Sequence, residues 1–213
     1  MRVFFARAIH NVISHGDTDV FPHPFENLIF YDRREEVINL LEDIHNDPSF
    51  EQRIAVSPPF NESMLAPIGY TGFRWATQLD PIWNLYMLGL ILSIADRIEA
   101  VRINVGQNVI FSYRFSYDEA SHDVFRRDVG WTQFMQRSLS LSHEWRHVVV
   151  CDISDFYQRL GHHRLENALG QLPNLDDIRS RIMRILGYFS GNRSYGLPVG
   201  GPAEPGGVDP GRG

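Results

Sequence analysis

Two periodicities run along this chain, and the helical one dominates. Between Glu35 and Asn46 the apolar residues fall at Val37, Leu40, Leu41 and Ile44, the spacing of a helix with one buried face. Trp83 to Val101 predicts a longer helix beginning just after Pro81. Ser121 to Glu144 predicts a largely helical stretch with a break at Gly130. Two more helices are expected around Phe156–Leu169 and Asp176–Phe189, the last capped by Asp176 or Asp177 and ending near Gly191. The strand period is weaker. Val109 to Phe115 is rich in β-branched and aromatic residues and predicts a strand, and Val148 to Asp152 reads as a buried strand that ends on a carboxylate. The first segment, up to Phe21-Pro22-His23-Pro24, is mixed and reads as a loop or docking segment. Pro48 and Pro58-Pro59 punctuate the stretch after the first helix, and Pro67 to Gln78, with Gly69, Gly72 and several aromatics, reads as an ordered loop. No internal repeat is present. From Pro202 onward Gly and Pro dominate without period, and residues 202–213 are expected to be a disordered tail. The pattern is that of an α+β fold, mostly helical, with a small incomplete antiparallel sheet.

The candidate chemistry lies at Val149-Val150-Cys151-Asp152-Ile153-Ser154-Asp155-Phe156-Tyr157. A carboxylate at the exit of a buried strand is held rigidly and aimed outward, which suits a Mg²⁺ ligand. Taken alone, Asp152 and Asp155 at a strand-to-helix junction equally describe a helix N-cap. Further on comes Tyr195-Gly196-Leu197-Pro198-Val199-Gly200-Gly201-Pro202. In this order the two segments resemble the palm of reverse transcriptases: the first is similar to the motif carrying that family's first catalytic Asp, the second to its Gly-Leu-Pro-x-Gly motif. Gln158-Arg159-Leu160-Gly161-His162-His163-Arg164-Leu165 looks like the continuation seen in bacterial members, including retron-like and phage-defence enzymes.

The resemblance implies a right-hand polymerase: an N-terminal extension or fingers over 1–105, fingers and partial palm over 106–201, and the tail. It implies nucleotidyl transfer with two Mg²⁺ ions, Mn²⁺ being a substitute, held by Asp152 and the carbonyl of Ile153. Asp155, Phe156 and Tyr157 would lie beside the incoming nucleotide, with the Tyr157 ring excluding a 2′-hydroxyl. Gly196, Pro198 and Gly200 would let a loop approach the template–primer. Arg114 is either a fingers residue reaching the triphosphate or a surface strand arginine. The implied partners are an RNA template, a DNA or RNA primer and dNTPs, with a protein partner as a further expectation. The family's remaining metal ligands come from a Tyr-x-Asp-Asp hairpin after the Gly-Leu-Pro motif. This sequence has none, and Asp176-Asp177 precedes Gly196. The expectation is therefore an RNA-directed DNA polymerase fragment that is inactive alone. The alternative is a non-catalytic RNA-binding or polymerase-partner protein derived from a decayed reverse transcriptase. The switch to Gly and Pro near Pro202 suggests a shifted reading frame, which translation of the other two frames would reveal.

Composition bounds these readings. A chain of 213 residues, 43% apolar and 12% aromatic, has enough apolar material for a sizeable core. Its net charge of −6 is unusual for a nucleic-acid binder. Every basic residue is Arg, which offers planar bidentate phosphate contacts, although a GC-rich genome produces the same bias. The one cysteine, Cys151, excludes an internal disulfide framework and fits a reducing cytoplasm, and no signal peptide is evident. The apolar stretch Leu85 to Ala95 is too short to span a bilayer and runs into Asp96-Arg97-Ile98-Glu99, so no membrane association is expected. His162 and His163 read as packed or solvated helix residues. His10, His15 and His23 lack a zinc-binding spacing.

Overall fold

The computed structural model describes residues 1–16, 25–68, 72–154 and 156–198, leaving out the side chains of 67, 68 and 74. The described part is mostly helical with one two-stranded antiparallel sheet, as the sequence pattern anticipates at this coarse level.

At the centre is α5 (Pro81–Val101), apolar on nearly every face, with Trp83, Leu85, Tyr86, Leu88, Leu90, Leu92 and Ile94 all buried. Its start is fixed chemically. Pro81 occupies the first turn, where a missing N–H costs nothing, and the Asp80 carboxylate accepts from the amides of Ile82 and Trp83, both at 3.1 Å. Burial nonetheless pushes the Asp80 carboxyl above the usual carboxylate range, against the pull of those two amides.

Helix α1 (Arg2–His15) packs on α5, which corrects the reading of this segment as a loop. Phe5, Ala8, Ile9 and Val12 recur with the period of one helical face, and all are buried. Phe5 stacks on Tyr86 with ring centroids 5.5 Å apart, and Gly89 leaves the room for it, since a Cβ there would run into the Phe5 ring. The short helix α2 (Glu26–Asp32) and α3 (Arg34–Asn46) cover α1, with Val37, Ile38, Leu41 and Ile44 inward. The next helix, α4 (Phe50–Val56), adds Phe50 to the aromatic cluster around Trp83 and Tyr86.

Asn61–Ile68 (β1) and Gly72–Leu79 (β2) pair antiparallel, from Asn61 opposite Leu79 to Ile68 opposite Gly72. The loop expected over Pro67 to Gln78 is thus largely a strand. Pro67 and Gly72 fall within the paired strands, while Phe73, Trp75 and Thr77 alternate down one face.

After α5 the sequence-predicted strand Val109–Phe115 does not form. Its residues are anchored instead on the end of α5: Arg102 donates to the Tyr113 carbonyl at 2.7 Å, and Glu99 accepts from the Phe115 amide at 3.0 Å. A single bridge joins Phe115 to Phe125. Residues 121–130 are not helical, and α6 (Trp131–Ser142) begins only after Gly130. It buries none of its side chains.

The strand expected over Val148–Asp152 is also absent. Val149 is 84% exposed and Val150 88%, so the run that reads as a buried strand lies open. A strand needs a neighbour, and the strands among the described residues pair only with each other. The helix expected around Phe156–Leu169 is divided into α7 (Phe156–Arg159) and α8 (His162–Gly170) at Leu160-Gly161. Finally, α9 (Asp176–Phe189) spans the range expected and returns to α5 through Ile182, Ile185 and Leu186. Asp176 and Asp177 are not its caps; they sit in its first turn and pair with Arg179 and Arg181. One apolar cluster runs from Phe5 through α5 to Phe189. No described helix is long and apolar enough to cross a membrane.

Candidate functional site

Two segments separated by α8 and α9 come together beside the hairpin. The Leu197 amide donates to the Tyr157 carbonyl at 2.8 Å, Gly196 to Leu160 at 2.9 Å, and His162 to Ser194 at 2.9 Å. A bridge pairs Gly161 with Tyr195. Thus the continuation of the Asp152 motif and the start of the Gly-Leu-Pro motif are joined backbone to backbone.

Gly196 is demanded at this junction. Its φ of 95° lies in the left-handed region, and an added Cβ would sit 3.3 Å from the Gln158 carbonyl oxygen. The His162 ring is buried and lies 2.7 Å, through Nε2, from the Gly196 carbonyl. A carbonyl only accepts, so Nε2 carries the proton. This histidine is therefore a packed residue that clamps the loop. His163 stays on the surface near Glu166. The return from α9 is made by Gly191 (φ 64°) and Asn192 (φ 59°), with the Asn192 amide reaching back to Gly187 at 2.7 Å.

Between this junction and the hairpin lies a groove of about 620 Å³. One wall carries Asn61, Ser63, Trp75 and Thr77; the other carries Gln158, Arg159, Arg193, Tyr195, Gly196 and Pro198. Asn61 ties the walls together by donating from Nδ2 to the Phe189 carbonyl at 2.7 Å, and Ser63 and Thr77 share a hydroxyl contact across the strands at 3.3 Å. Towards the hairpin tip this face turns apolar, with Leu65 opposite Trp75 and both half-exposed. The groove thus offers the Arg193 guanidinium, two open aromatic rings, and amides and hydroxyls along its walls. That donor set suits a planar ring system carrying anionic groups. The hairpin half was invisible to motif reading; its signal is the alternation Ser63, Leu65 against Trp75, Thr77.

Of the other sequence-predicted residues, Asp152 and Ile153 are exposed, and the Asp152 Oδ1 accepts from the Ile153 amide at 2.9 Å. Asp152 is not among the residues lining the groove. Asp155 and Gly200 lie outside the described residues, as do His23 and the tail. Phe156 and Tyr157 meet edge to face, with centroids 5.5 Å apart, and are half-exposed. Arg114 is 3% exposed: it pairs with Glu99 at 3.0 Å and donates to the Ile103 carbonyl. Its guanidinium is committed to fastening the 112–115 segment to α5 and is not presented to a ligand. Among the described residues no three His, Cys, Asp or Glu side chains converge on a metal position. Asp152 alone does not fit a pair of mutually repelling divalent ions, which need several carboxylate oxygens between them.

Comparison with protein-family models, curated proteins and solved structures gave no match.

Proposed function

We propose that this chain is the fingers and partial palm of a reverse-transcriptase-like polymerase, and that on its own it holds template–primer nucleic acid without extending it. What supports this reading is the backbone pairing of Tyr157–His162 with Ser194–Leu197, which joins two motif-like segments that lie far apart in sequence. The groove they share with the β1–β2 hairpin is the nucleic-acid contact, with bases against Trp75 and Tyr195 and phosphates towards Arg193. Polymerisation is not assigned to this chain, because two-metal transfer needs carboxylates beyond Asp152.

The test is fluorescence anisotropy of a labelled RNA–DNA template–primer. Binding should weaken linearly on a log–log plot against salt. Trp75→Ala should weaken it about fivefold or more, the loss of one stacked base. Absence of binding at low salt, or indifference to both Trp75→Ala and Arg193→Ala, would sink the proposal.

One observation favours a second reading as a protein partner. The α6 face and the segment after it expose Trp131, Met135, Leu139, Trp145 and Val148–Val150, on a chain of net charge −6. Failure to bind the hybrid, combined with self-association or complex formation in light scattering, is the outcome this reading expects.

A further inference from the structure

Away from the groove, the loop between Phe115 and Arg126 is folded on itself and fastened to α1. Ser116 donates to Val124 at 3.1 Å, Asp118 to Asp123 at 2.9 Å, and His122 to Asp118 at 2.9 Å. From α1, Asn11 Nδ2 donates to the His122 carbonyl at 2.9 Å, and Arg7 pairs with Glu119 at 2.6 Å while lying over the Tyr117 ring. At the middle of this contact the rings of His10 and His122 face each other with centroids 4.6 Å apart. Tyr117 shares a 3.0 Å hydrogen bond with His122 Nδ1, and His122 itself sits at φ 59°.

The decisive contact comes from α3. Arg34 Nη1 lies 2.7 Å from His10 Nε2. A guanidinium can only donate, so His10 Nε2 must present its lone pair, and the ring is neutral with its proton on Nδ1. A second proton on His10 would destroy that hydrogen bond. It would also place a cation between Arg34 and the His122 ring.

We propose that His10, His122 and Arg34 form a pH-sensitive clasp, which holds the 115–126 loop on α1 while His10 is neutral and loosens it when His10 takes up a proton. Burial, then His122 and Arg34, hold His10 below the usual histidine range. The acids near it are already engaged: Glu119 with Arg7 and Glu35 with Arg2. A separate tie from α1 reaches the same loop: His15 Nε2 stands 3.1 Å from both the Ser121 carbonyl and the Asp123 carboxylate, which Arg127 shares. The clasp is independent of the polymerase reading.

Hydrogen exchange of the intact chain tests it. After correction for intrinsic rates, protection at Ser116, Asp118 and His122 should fall about tenfold per pH unit once His10 begins to titrate. Amides in the middle of α5 should hold theirs. His10→Gln keeps an oxygen acceptor for Arg34 at every pH and should flatten the response. A loop that loses protection equally in His10→Gln, or that shows no pH response in the parent, overturns the clasp. So does an NMR titration of the parent that places the His10 midpoint at or above 6.5, the ordinary value.

Discussion

Gly196 and Gly161 both lie at the junction of the two motif-like segments, Gly161 bridged to Tyr195 and Gly196 bonded to Leu160, yet they are not equivalent. Gly196 needs its left-handed φ, and a Cβ on it would crowd the Gln158 carbonyl oxygen at 3.3 Å, whereas Gly161 has extended backbone (φ −72°) and open space around it. Gly196→Ala should therefore cost about 1–3 kcal/mol of stability, the usual range for a strained residue. Gly161→Ala should stay within about 0.5 kcal/mol. Urea denaturation of both variants checks this, and equal losses would refute the geometry. The Gly-Leu-Pro segment was legible as a motif, but the reason its glycine is required was not: the oxygen it avoids belongs to Gln158, distant in sequence. Arg114 shows the opposite failure. An Arg in an aromatic strand-like stretch reads as an outward group, and only folding reveals that Glu99 draws it inside.

Helices with a single clean apolar face, α3 and α9, were legible because period and flanking residues agree. So was α5, where Asp80-Pro81 marks the start. The periodicity of α1 was equally present at Phe5, Ala8, Ile9 and Val12, but the mixed polar residues around it disguised the pattern. Its weight in the fold is testable. Phe5 is fully buried against Tyr86 and Gly89, so Phe5→Ala should lower stability by about 3–5 kcal/mol in chemical denaturation. A loss below about 1 kcal/mol would mean that α1 is peripheral. The Val148–Asp152 run illustrates why apolar β-branched sequence is not sufficient for a strand. Its propensity is realised only when a neighbouring edge supplies hydrogen bonds, and among the described residues no strand pairs with this run.

The stability of the folded chain should depend on pH in two steps. His10 and His45 are both held below the usual histidine range, each chiefly by burial, and His45 also by the nearby Arg181 guanidinium. Groups lowered in this way are neutral in folded and unfolded chains above their ordinary value of 6.5 and cost nothing there. As pH falls below that value the unfolded chain takes up protons first, so stability drops until the folded chain titrates too. A second decline belongs to Asp47, Asp118, Asp123 and Asp128, each lowered by hydrogen bonds or arginine partners, and lies below about pH 4. Thermal melts across this range should show a shallow fall between about pH 6.5 and 5, reduced in a His10→Gln, His45→Gln double variant. A melting temperature flat through that interval would refute it.

One thiol, Cys151, lies exposed between the valine run and Asp152, and the chain has no other. It is therefore a ready-made attachment point for a maleimide fluorophore or a nitroxide, with no competing site to remove. A probe there would stand next to the carboxylate at issue and sense whether added nucleic acid, metal ion or protein quiets the open segment around it.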